Sequence, residues 1–357
     1  MPVHISKPFL PPFDEYAEAI RPLWESHQLT NNGFFVQQLE KELCAFLGLE
    51  ECVFCTNGTI ALQMAIEALE VKGEIITSPF SYIATLDSIL WQKCTPVFAD
   101  IDPDSLCISP AAIQSKIRPK TAAILATHVF GRACDISAIE EIASAQNIKV
   151  IFDGAHSFAV SRKGRSLLDH GDISICSFNA TKIFHTVEGG ALITRDKAMA
   201  DKLRAMRYFG FRKGQVTLAG LNAKQSEFHA AMGLVNLRHF EDIRNKYQSY
   251  FQLYHSLLKE TSLKLPELDA DTSFNYAYFP VLFKTEEDLL KVLYLLNAQQ
   301  IFPRRYFFPT LNTLSIINGA SCPVAERLAR KIMCLPLCYD LSGSTVRTIC
   351  SIIKETV

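Results

Sequence analysis

Short apolar runs alternate with segments of helical periodicity through residues 52–194, and this alternation limits the chain to a few kinds of fold. Seven runs predict strands: residues 52–55, 74–77, 95–98, 122–127, 149–152, 173–178 and 191–194. Helical patterns lie between several of them, for example the one that opens at Asp135, a good helix-capping residue. Such alternation favours a mostly parallel sheet covered by helices on both faces. We therefore predict an α/β fold.

The pattern changes beyond residue 226. A helical stretch runs from residue 226 to about residue 260 with no proline and with Gly233 as its only glycine, and we interpret it as a bridge to a second domain. After it, residues 276–283 and 304–308 resemble strands, and residues 286–299, 324–333 and 344–354 resemble helices. We predict a large α/β domain over residues 1–240 and a smaller α+β domain over residues 241–357.

The composition is that of an ordinary globular protein. The chain has 357 residues, of which 48% are hydrophobic and 20% are charged, so a large core is expected. Its 36 basic and 37 acidic residues give a net charge of −1, which favours neither nucleic acid nor a membrane surface as a partner. No apolar run approaches the roughly 20 residues of a membrane span. We expect no nucleic-acid and no membrane partner.

The cysteines indicate the compartment. Eleven cysteines, an odd number, are scattered through apolar strand-like segments, which fits reduced thiols in a cytoplasm better than a disulfide framework. The first residues also lack the pattern of a signal peptide. Cys52 and Cys55 form a CxxC, but no second pair or nearby histidine completes a zinc site, so we expect no metal. We predict a cytoplasmic protein.

A lysine and an aspartate stand in contexts that suit carbonyl chemistry. Lys182 follows the segment SFNAT at residues 177–181, and Asp153 follows the apolar run at residues 150–152. A lysine amine can condense with a carbonyl cofactor, and a buried acid at a strand end can keep a pyridine nitrogen protonated. Each residue alone is more often a solvated charge or a helix cap. Together they indicate pyridoxal 5'-phosphate (PLP) chemistry.

A phosphate site is predicted upstream. The strand that ends near Cys55 breaks at residues 56–59, and a helical pattern follows. Gly58 permits close approach of the backbone, Thr59 offers a hydroxyl, and the start of the helix presents free N–H groups to an anion. Ser177, five residues before Lys182, supplies a second hydroxyl.

The motifs continue in order along nearly the whole chain. They are residues 55–59 (CTNGT), 79–85 (PFSYIAT), 96–102 (PVFADID), 128–131 (HVFG), 153–156 (DGAH), 177–182 (SFNATK), 188–191 (EGGA) and 221–227 (LNAKQSE). This series resembles the DegT/DnrJ/EryC1/StrS family of nucleotide-sugar aminotransferases. The resemblance implies fold type I of the PLP-dependent enzymes, which is similar to aspartate aminotransferase. In it a large domain with a mostly parallel sheet precedes a smaller α+β C-terminal domain.

The resemblance also implies roles for residues around the cofactor ring. Lys182 would hold PLP as a Schiff base and move the proton between the substrate carbon and the cofactor carbon. Asp153 would pair with the pyridinium nitrogen, Tyr82 would stack on the ring, and His156 would lie near the phenolic oxygen. Family members that carry histidine in place of the lysine perform dehydration, so Lys182 favours transamination.

Further roles concern the phosphate. By resemblance, Gly58, Thr59 and Ser177 would bind it, and Asn222 would reach across a dimer interface to the phosphate of the neighbouring subunit. We therefore expect a homodimer with shared active sites. Two positions depart from the family's pattern, because its Glu-Asp-Ala-Ala run is here FDGA at residues 152–155 and its proline before Thr-Lys is Ala180. Neither change removes a reactive group.

The C-terminal motif bears on the substrate. Where the family often has Arg-x-His-Tyr, this chain has RRYFF at residues 304–308, and that form is similar to enzymes that aminate dTDP-4-keto-6-deoxy-glucose. We name His185, Arg305 and Tyr306 as candidate substrate-binding residues, since an arginine suits a pyrophosphate. For Arg304 or Arg305, exposure to solvent is an equal alternative, as is packing within its loop for His185.

The predicted reaction is a ping-pong transfer of an amino group from glutamate to the C4 keto group of dTDP-4-keto-6-deoxy-D-glucose. It would yield dTDP-4-amino-4,6-dideoxy-D-glucose for a surface polysaccharide such as O-antigen. The alternatives are amination at C3 of dTDP-3-keto-6-deoxyhexose and a non-catalytic protein with the PLP fold. A nucleotide-dependent oxidoreductase is disfavoured, because the chain has neither GxGxxG after a strand nor a Walker-type loop.

Overall fold

A computed structural model describes residues 2–317 and 319–357 of the chain. In chain order its strands are β1 Val3–His4, β2 Glu51–Cys55, β3 Glu74–Thr77, β4 Thr95–Phe98, β5 Thr121–Thr127, β6 Lys149–Asp153, β7 Ser161–Arg162, β8 Arg165–Ser166, β9 Ile173–Ser177, β10 Gly190–Thr194, β11 Phe211–Arg212, β12 Gln215–Val216, β13 Thr272–Ser273, β14 Phe279–Leu282, β15 Ile301–Phe302 and β16 Ile332–Leu335.

The helices complete the architecture. They are α1 Phe13–Ile20, α2 Pro22–Ser26, α3 Phe34–Leu47, α4 Gly58–Ala68, α5 Ile83–Trp91, α6 Pro110–Lys116, α7 Ile136–Gln146, α8 Lys197–Arg207, α9 Glu227–Arg238, α10 Phe240–Leu258, α11 Glu286–Ala298, α12 Pro323–Ala329 and α13 Gly343–Lys354. Short 3-10 helices lie at Val129–Gly131 and Leu311–Thr313.

A seven-stranded sheet in the order β2-β10-β9-β6-β5-β3-β4 is the largest sheet in the described part of the chain. Its strands run parallel except β10, which pairs antiparallel with both β2 and β9. The predicted mostly parallel sheet is confirmed, and each of the seven predicted strands is present. The register pairs Thr127 with Asp153 and Asp153 with Ile175, so these residues lie side by side near the carboxyl ends of β5, β6 and β9.

Helices cover both faces of this sheet. Successive side chains of a strand point to opposite faces, so a strand covered on both faces buries all of its side chains. On β5, Ile124 and Leu125 belong to different apolar clusters, and on β6, Ile151 and Phe152 do the same. All four side chains are fully buried. This explains why the strands appear in the sequence as continuous apolar runs rather than as an alternation of apolar and polar residues.

The predicted single helix over residues 226–260 is wrong. The chain forms α9 and α10, which meet at His239. The N–H of His239 bonds to the carbonyl oxygens of Asn236 and Leu237, and its ring lies 2.7 Å from a carboxylate oxygen of Glu15. Neither proline nor glycine marks this junction, so the sequence carried no signal for it.

Two predictions in the C-terminal part are also corrected. Residues 304–308 are not a strand, because after β15 only Arg304 makes an isolated bridge, to Cys334. Residues 324–333 are not one helix, because α12 ends at Ala329 and the apolar residues that follow form β16, which pairs antiparallel with β14. The helices predicted over 286–299 and 344–354 are present as α11 and α13. The domain boundary at residue 240 stays a prediction.

Candidate active site

A cavity of about 700 Å³ lies at the carboxyl ends of β2, β6 and β9. Its volume falls within the range typical of small-molecule sites. The structure brings eight of the predicted site residues to its walls: Gly58, Thr59, Tyr82, Asp153, His156, Ser177, Lys182 and Tyr306. The position agrees with the general rule that ligands of parallel sheets bind beyond the carboxyl ends of strands.

Asp153 is the last residue of β6, and its carboxyl group is held on both oxygens. The N–H of Ala155 donates to Oδ1 at 3.0 Å, and the hydroxyl of Thr85 donates to Oδ2 at 3.4 Å. Thr85 in turn is hydrogen-bonded to Ser81 at 2.8 Å. Burial raises the pKa of Asp153, while these donors and Lys182 act to lower it. A cation bound against this carboxylate would lower its pKa further.

Lys182 lies in a tight turn after β9. Its N–H bonds to the carbonyl of Asn179 at 2.9 Å, and the side chain of Asn179 accepts the N–H of Thr181 and donates to Glu188. The partly buried amine faces the cavity, and burial lowers the pKa of Lys182 although Asp153 acts to raise it. A lowered pKa increases the neutral fraction of the amine, which is the form that attacks a carbonyl.

His156 presents a proton to the cavity. Its Nδ1 accepts the N–H of Phe130 at 3.1 Å, so in the neutral ring Nε2 carries the proton. Burial holds the pKa of His156 well below its usual value, which keeps the ring neutral. Its ring centroid lies 4.4 Å from that of Tyr278 and about 6 Å from those of Phe130 and Phe307. His156 can therefore donate one hydrogen bond to an oxygen in the cavity.

The start of α4 forms a cradle for an anion. The side chain of Asn57 caps the helix by accepting the N–H of Ile60 at 2.9 Å. A Cβ on Gly58 would lie 3.0 Å from the Cβ of Ser177, and a Cβ on Gly190 would lie 2.7 Å from the nitrogen of Gly58. The backbone approaches this closely because both positions are glycine. Free N–H groups and the positive end of the helix dipole suit a phosphate.

Three predicted site residues are not part of the cavity wall. Asn222 is exposed, pairs with Tyr208 in an isolated bridge and accepts a hydrogen bond from Lys224 at 2.6 Å. His185 is buried and its Nε2 lies 2.7 Å from the carbonyl oxygen of Phe9. This geometry agrees with the alternative that His185 packs within its loop, so we revise its assignment to the substrate.

Arg305 is the third of these residues. Its guanidinium bonds to Glu286 at 2.6 Å and to the carbonyl of Arg330 at 2.9 Å, and it stacks on the ring of Phe308 at 3.8 Å. These contacts hold it away from the cavity. The adjacent Arg304 lines the cavity instead. We therefore correct the candidate arginine from Arg305 to Arg304.

Sequence reasoning missed the residues that support the site. Thr85 and Ser81 lie in the motif at residues 79–85 and, with Thr127, form a hydroxyl network that reaches Asp153. Their place in that motif was a usable signal. Tyr278, whose hydroxyl lies 3.4 Å from Nζ of Lys182, had no such signal, because it stands 96 residues away along the chain.

Residues 2–317 and 319–357 contain neither a candidate metal site nor a candidate membrane-spanning helix. No three histidine, cysteine, aspartate or glutamate side chains are grouped so that they could bind a metal ion. No helix in this part of the chain combines the length and the apolar character that a bilayer crossing requires.

Comparison with known proteins identifies the family. A sequence model of the DegT/DnrJ/EryC1/StrS aminotransferase family matches residues 13–354. The chain belongs to this family. It is 40% identical over 362 residues to a Shigella dysenteriae protein named dTDP-4-amino-4,6-dideoxy-D-glucose transaminase, with 99% of each chain covered. An Escherichia coli protein of the same name is 36% identical, with 96% of each chain covered.

Solved structures agree with the family assignment. The crystal structure of DesI in the presence of its TDP-sugar product superimposes with a TM-score of 0.94 at 29% identity and covers 99% of this chain and 92% of that one. The aminotransferase TlmJ from Streptoalloteichus hindustanus gives a TM-score of 0.94 at 25% identity. The predicted family, fold type I, enzyme class and cofactor are thereby confirmed: the protein is a PLP-dependent aminotransferase.

The residues on the cavity wall fit PLP. The cradle at Gly58 has room for the phosphate because this position carries no side chain. A Cβ there would lie only 3.0 Å from the Cβ of Ser177. Asp153 offers a carboxyl group to the ring nitrogen, and Lys182, whose pKa burial lowers, offers an amine to the carbonyl. His156 offers a donor to the phenolic oxygen. Each polar group of the cofactor therefore has a counterpart of matching chemistry on one wall or another.

Proposed function

We propose that the protein transfers an amino group from glutamate to the C4 keto group of dTDP-4-keto-6-deoxy-D-glucose. The observation that carries the proposal is the presence of Lys182 and Asp153 in one cavity, where each changes the pKa of the other. The two relatives at 40% and 36% identity support the choice of sugar nucleotide and of C4. The product is dTDP-4-amino-4,6-dideoxy-D-glucose, which we assign to the synthesis of a surface polysaccharide.

The protein side chains divide the work in both half-reactions. When bound, PLP supplies an aldehyde carbon that accepts the amino group and a ring that accepts electrons. Lys182 would hold the cofactor and, once released, would take up and return a proton at the reacting carbon. Asp153 would keep positive charge at the ring nitrogen, and His156 would donate its Nε2 proton in a hydrogen bond to the phenolic oxygen. Donors aimed at the positions where charge develops lower the barrier of such reactions.

Arg304 is our candidate for the diphosphate of the sugar nucleotide. Its exposed side chain lines the cavity, and among the described residues it has no carboxylate partner. Among the described residues, the only hydrogen bond of the Arg304 side chain is a contact of 3.4 Å with the hydroxyl of Tyr306, which lines the same wall. A guanidinium can bind two phosphate oxygens at once. Tyr306 would then orient Arg304 towards the substrate.

We further propose a homodimer in which Asn222 completes the phosphate site of the partner. Asn222 belongs to a segment that exposes large apolar side chains, with Phe209 45% and Phe211 40% accessible. Another exposed group lies near the N-terminus, where Phe13 is 80% and Trp24 67% accessible. Exposed apolar side chains in such number mark an interaction surface.

The thiols support our assignment of the protein to the cytoplasm. All eleven cysteines lie in the described part of the chain and are free, and ten of them are buried. Free thiols in this number suit a reducing compartment.

The proposal is tested with purified protein, PLP, dTDP-4-keto-6-deoxy-D-glucose and glutamate. We expect an amino sugar whose ring nitrogen is placed at C4 by NMR, and no turnover by Lys182→Ala or by Lys182→Arg, whose guanidinium stays charged. The two variants should keep the far-ultraviolet circular dichroism of the parent. A product aminated at C3 would replace the proposed substrate, and turnover by Lys182→Ala would remove the lysine from the mechanism.

A further inference from the structure

Tyr278 brings a phenol from the C-terminal part of the chain into the active site. It immediately precedes β14, whose first residue, Phe279, is fully buried, and β14 is paired with β16. The Tyr278 hydroxyl lies 3.4 Å from Nζ of Lys182. Its ring centroid lies 4.4 Å from that of His156 and 5.6 Å from that of Phe130. The phenol is therefore anchored by a strand on one side and by aromatic rings on the other.

The contact between the two side chains is suited to holding an amine. In this arrangement Lys182 donates an N–H to the phenol oxygen, which leaves the lone pair of a neutral amine free for a carbonyl. Burial raises the pKa of Tyr278 well above its usual value, so the group stays a neutral phenol. Among the described residues, the amine of Lys182 has no other hydrogen-bond partner.

We propose that Tyr278 is a positioning residue that holds the amine of Lys182 at the cavity wall whenever the lysine is not joined to the cofactor. The lysine stem is long and flexible, and ordering it in advance removes an entropic cost from each attack on a carbonyl. The inference rests on the proposed function, since it assigns Tyr278 a part in the capture of PLP by Lys182. It adds a residue from the C-terminal part of the chain to that step.

The test separates capture of the carbonyl from simple binding. Apoprotein of the parent and of Tyr278→Phe is mixed with PLP, and the covalent product is trapped with borohydride and mapped to Lys182 by mass spectrometry. Affinity for pyridoxamine phosphate, which has no carbonyl, is measured in parallel. We expect capture of PLP to slow roughly threefold to tenfold, the range that one hydrogen bond supports, while the affinity for pyridoxamine phosphate is unchanged.

Tyr276→Phe is the matched control. Tyr276 lies two residues before Tyr278, but its hydroxyl accepts a hydrogen bond from Gln248 at 3.1 Å and its ring packs against Phe251, so it is not part of the cavity wall. This variant should capture PLP at the parental rate. Parental capture by Tyr278→Phe would overturn the inference, as would an equal loss of pyridoxamine phosphate affinity, which would indicate general damage. If the parent itself gives no adduct at Lys182, the proposed function fails and the inference fails with it.

Discussion

At Asp153, burial and hydrogen bonding act on the carboxyl group in opposite directions. Burial raises its pKa, whereas the N–H of Ala155, the charge of Lys182 and the hydroxyl of Thr85 lower it. A carboxylate in such a place gains most from a positive partner, because little water screens the interaction. This is the environment in which a protonated ring nitrogen is held.

Asp153→Asn tests this reasoning. The amide keeps the shape of the side chain but cannot balance a positive ring nitrogen, so we expect kcat to fall about 10- to 100-fold, the equivalent of a charge-assisted hydrogen bond. Thr85→Val, which removes only a supporting donor, should cost much less. Steady-state kinetics with saturating PLP measure both. An unchanged kcat in Asp153→Asn would contradict the role.

The buried ring of His128 makes the free energy of unfolding depend on pH. The ring is fully buried, its Nδ1 accepts the N–H of Cys134 at 3.1 Å, and it stacks on Phe152. Burial lowers the pKa of His128 to about 3. In the unfolded chain a histidine has a pKa of about 6.5. Between these values only the unfolded state binds the proton, so the stability that is present above pH 6.5 is lost as the pH falls.

The expected loss for this one residue is about 2 kcal/mol in the free energy of unfolding at pH 5 relative to neutral pH. His128→Asn keeps an acceptor for the N–H of Cys134 but does not titrate. Between neutral pH and pH 5 the free energy of unfolding of this variant should therefore fall about 2 kcal/mol less than that of the parent. Urea unfolding of both apoproteins at the two pH values measures the difference. The other buried histidines are common to both proteins and cancel. Parallel pH profiles would contradict the prediction.

Individual site residues could be predicted from the sequence, because Asp153 and Ser177 end strands whose apolar runs are visible, and Gly58 and Lys182 lie shortly after such strands. Residues that act through space could not. His185 stands three positions from Lys182, yet its ring turns away to the carbonyl of Phe9. Neither residue type nor spacing encodes that direction.

Among the elements, β2 shows how an edge strand of the sheet is protected. The backbone of Phe54 faces outward, where its N–H donates to Glu40 at 2.9 Å and its carbonyl accepts from Arg207 at 2.5 Å. Glu40 and Arg207 also pair with each other, and both are buried. Helices α3 and α8 thus supply the hydrogen bonds that a further strand would otherwise make.

Arg207→Met should therefore destabilise the protein by about 1.5–3 kcal/mol, because it removes the hydrogen bonds to the buried carboxylate of Glu40 and to the carbonyl of Phe54 and leaves that carboxylate with Arg204, at 3.8 Å, as its cation. Adding Glu40→Leu removes that charge, so the double variant should be more stable than Arg207→Met alone. Urea unfolding midpoints of four proteins, namely the parent, Arg207→Met, Glu40→Leu and the double variant, test the coupling. Additive losses would show that the two side chains do not act as a pair.

Elements were predictable where a single pattern covered them. The central strands were found because each contains a short apolar run. The junction at His239 was missed because helical residues stand on both sides of it. β16 was missed because its run of Ile332, Met333, Cys334 and Leu335 follows α12 with only Arg330 and Lys331 between them. Only pairing with β14 distinguishes that run from a buried helical turn.

In the whole molecule, the cavity collects residues from distant parts of the chain, among them Ser6, Gly58, Lys182, Tyr278 and Arg304. The proposed homodimer would add Asn222 from the partner subunit. Sequence order alone could not assign Asn222 to its own site or to its neighbour's. Within the chain, Asn222 lies outside the cavity wall.

Subunit mixing decides between these arrangements. We expect Lys182→Ala and Asn222→Asp each to be inactive, the latter because a carboxylate repels the phosphate. If sites are shared, a mixed dimer has one site with both defects and one with neither, so equal mixing after dissociation should restore about one quarter of the parental activity. No recovery, despite mixed dimers seen by native mass spectrometry, would place Asn222 in its own subunit's site, and parental activity of Asn222→Asp alone would place it outside any site.

β1 has a practical consequence for anyone who makes this enzyme. Val3 and His4 pair with Ile301 and Phe302, and residues 4–6 form part of the cavity wall. An affinity tag fused ahead of β1 would therefore emerge beside the wall of the active-site cavity. A tag placed after α13, which contributes nothing to that wall, leaves the cavity wall undisturbed, and kinetic constants should be compared only between proteins tagged at that end.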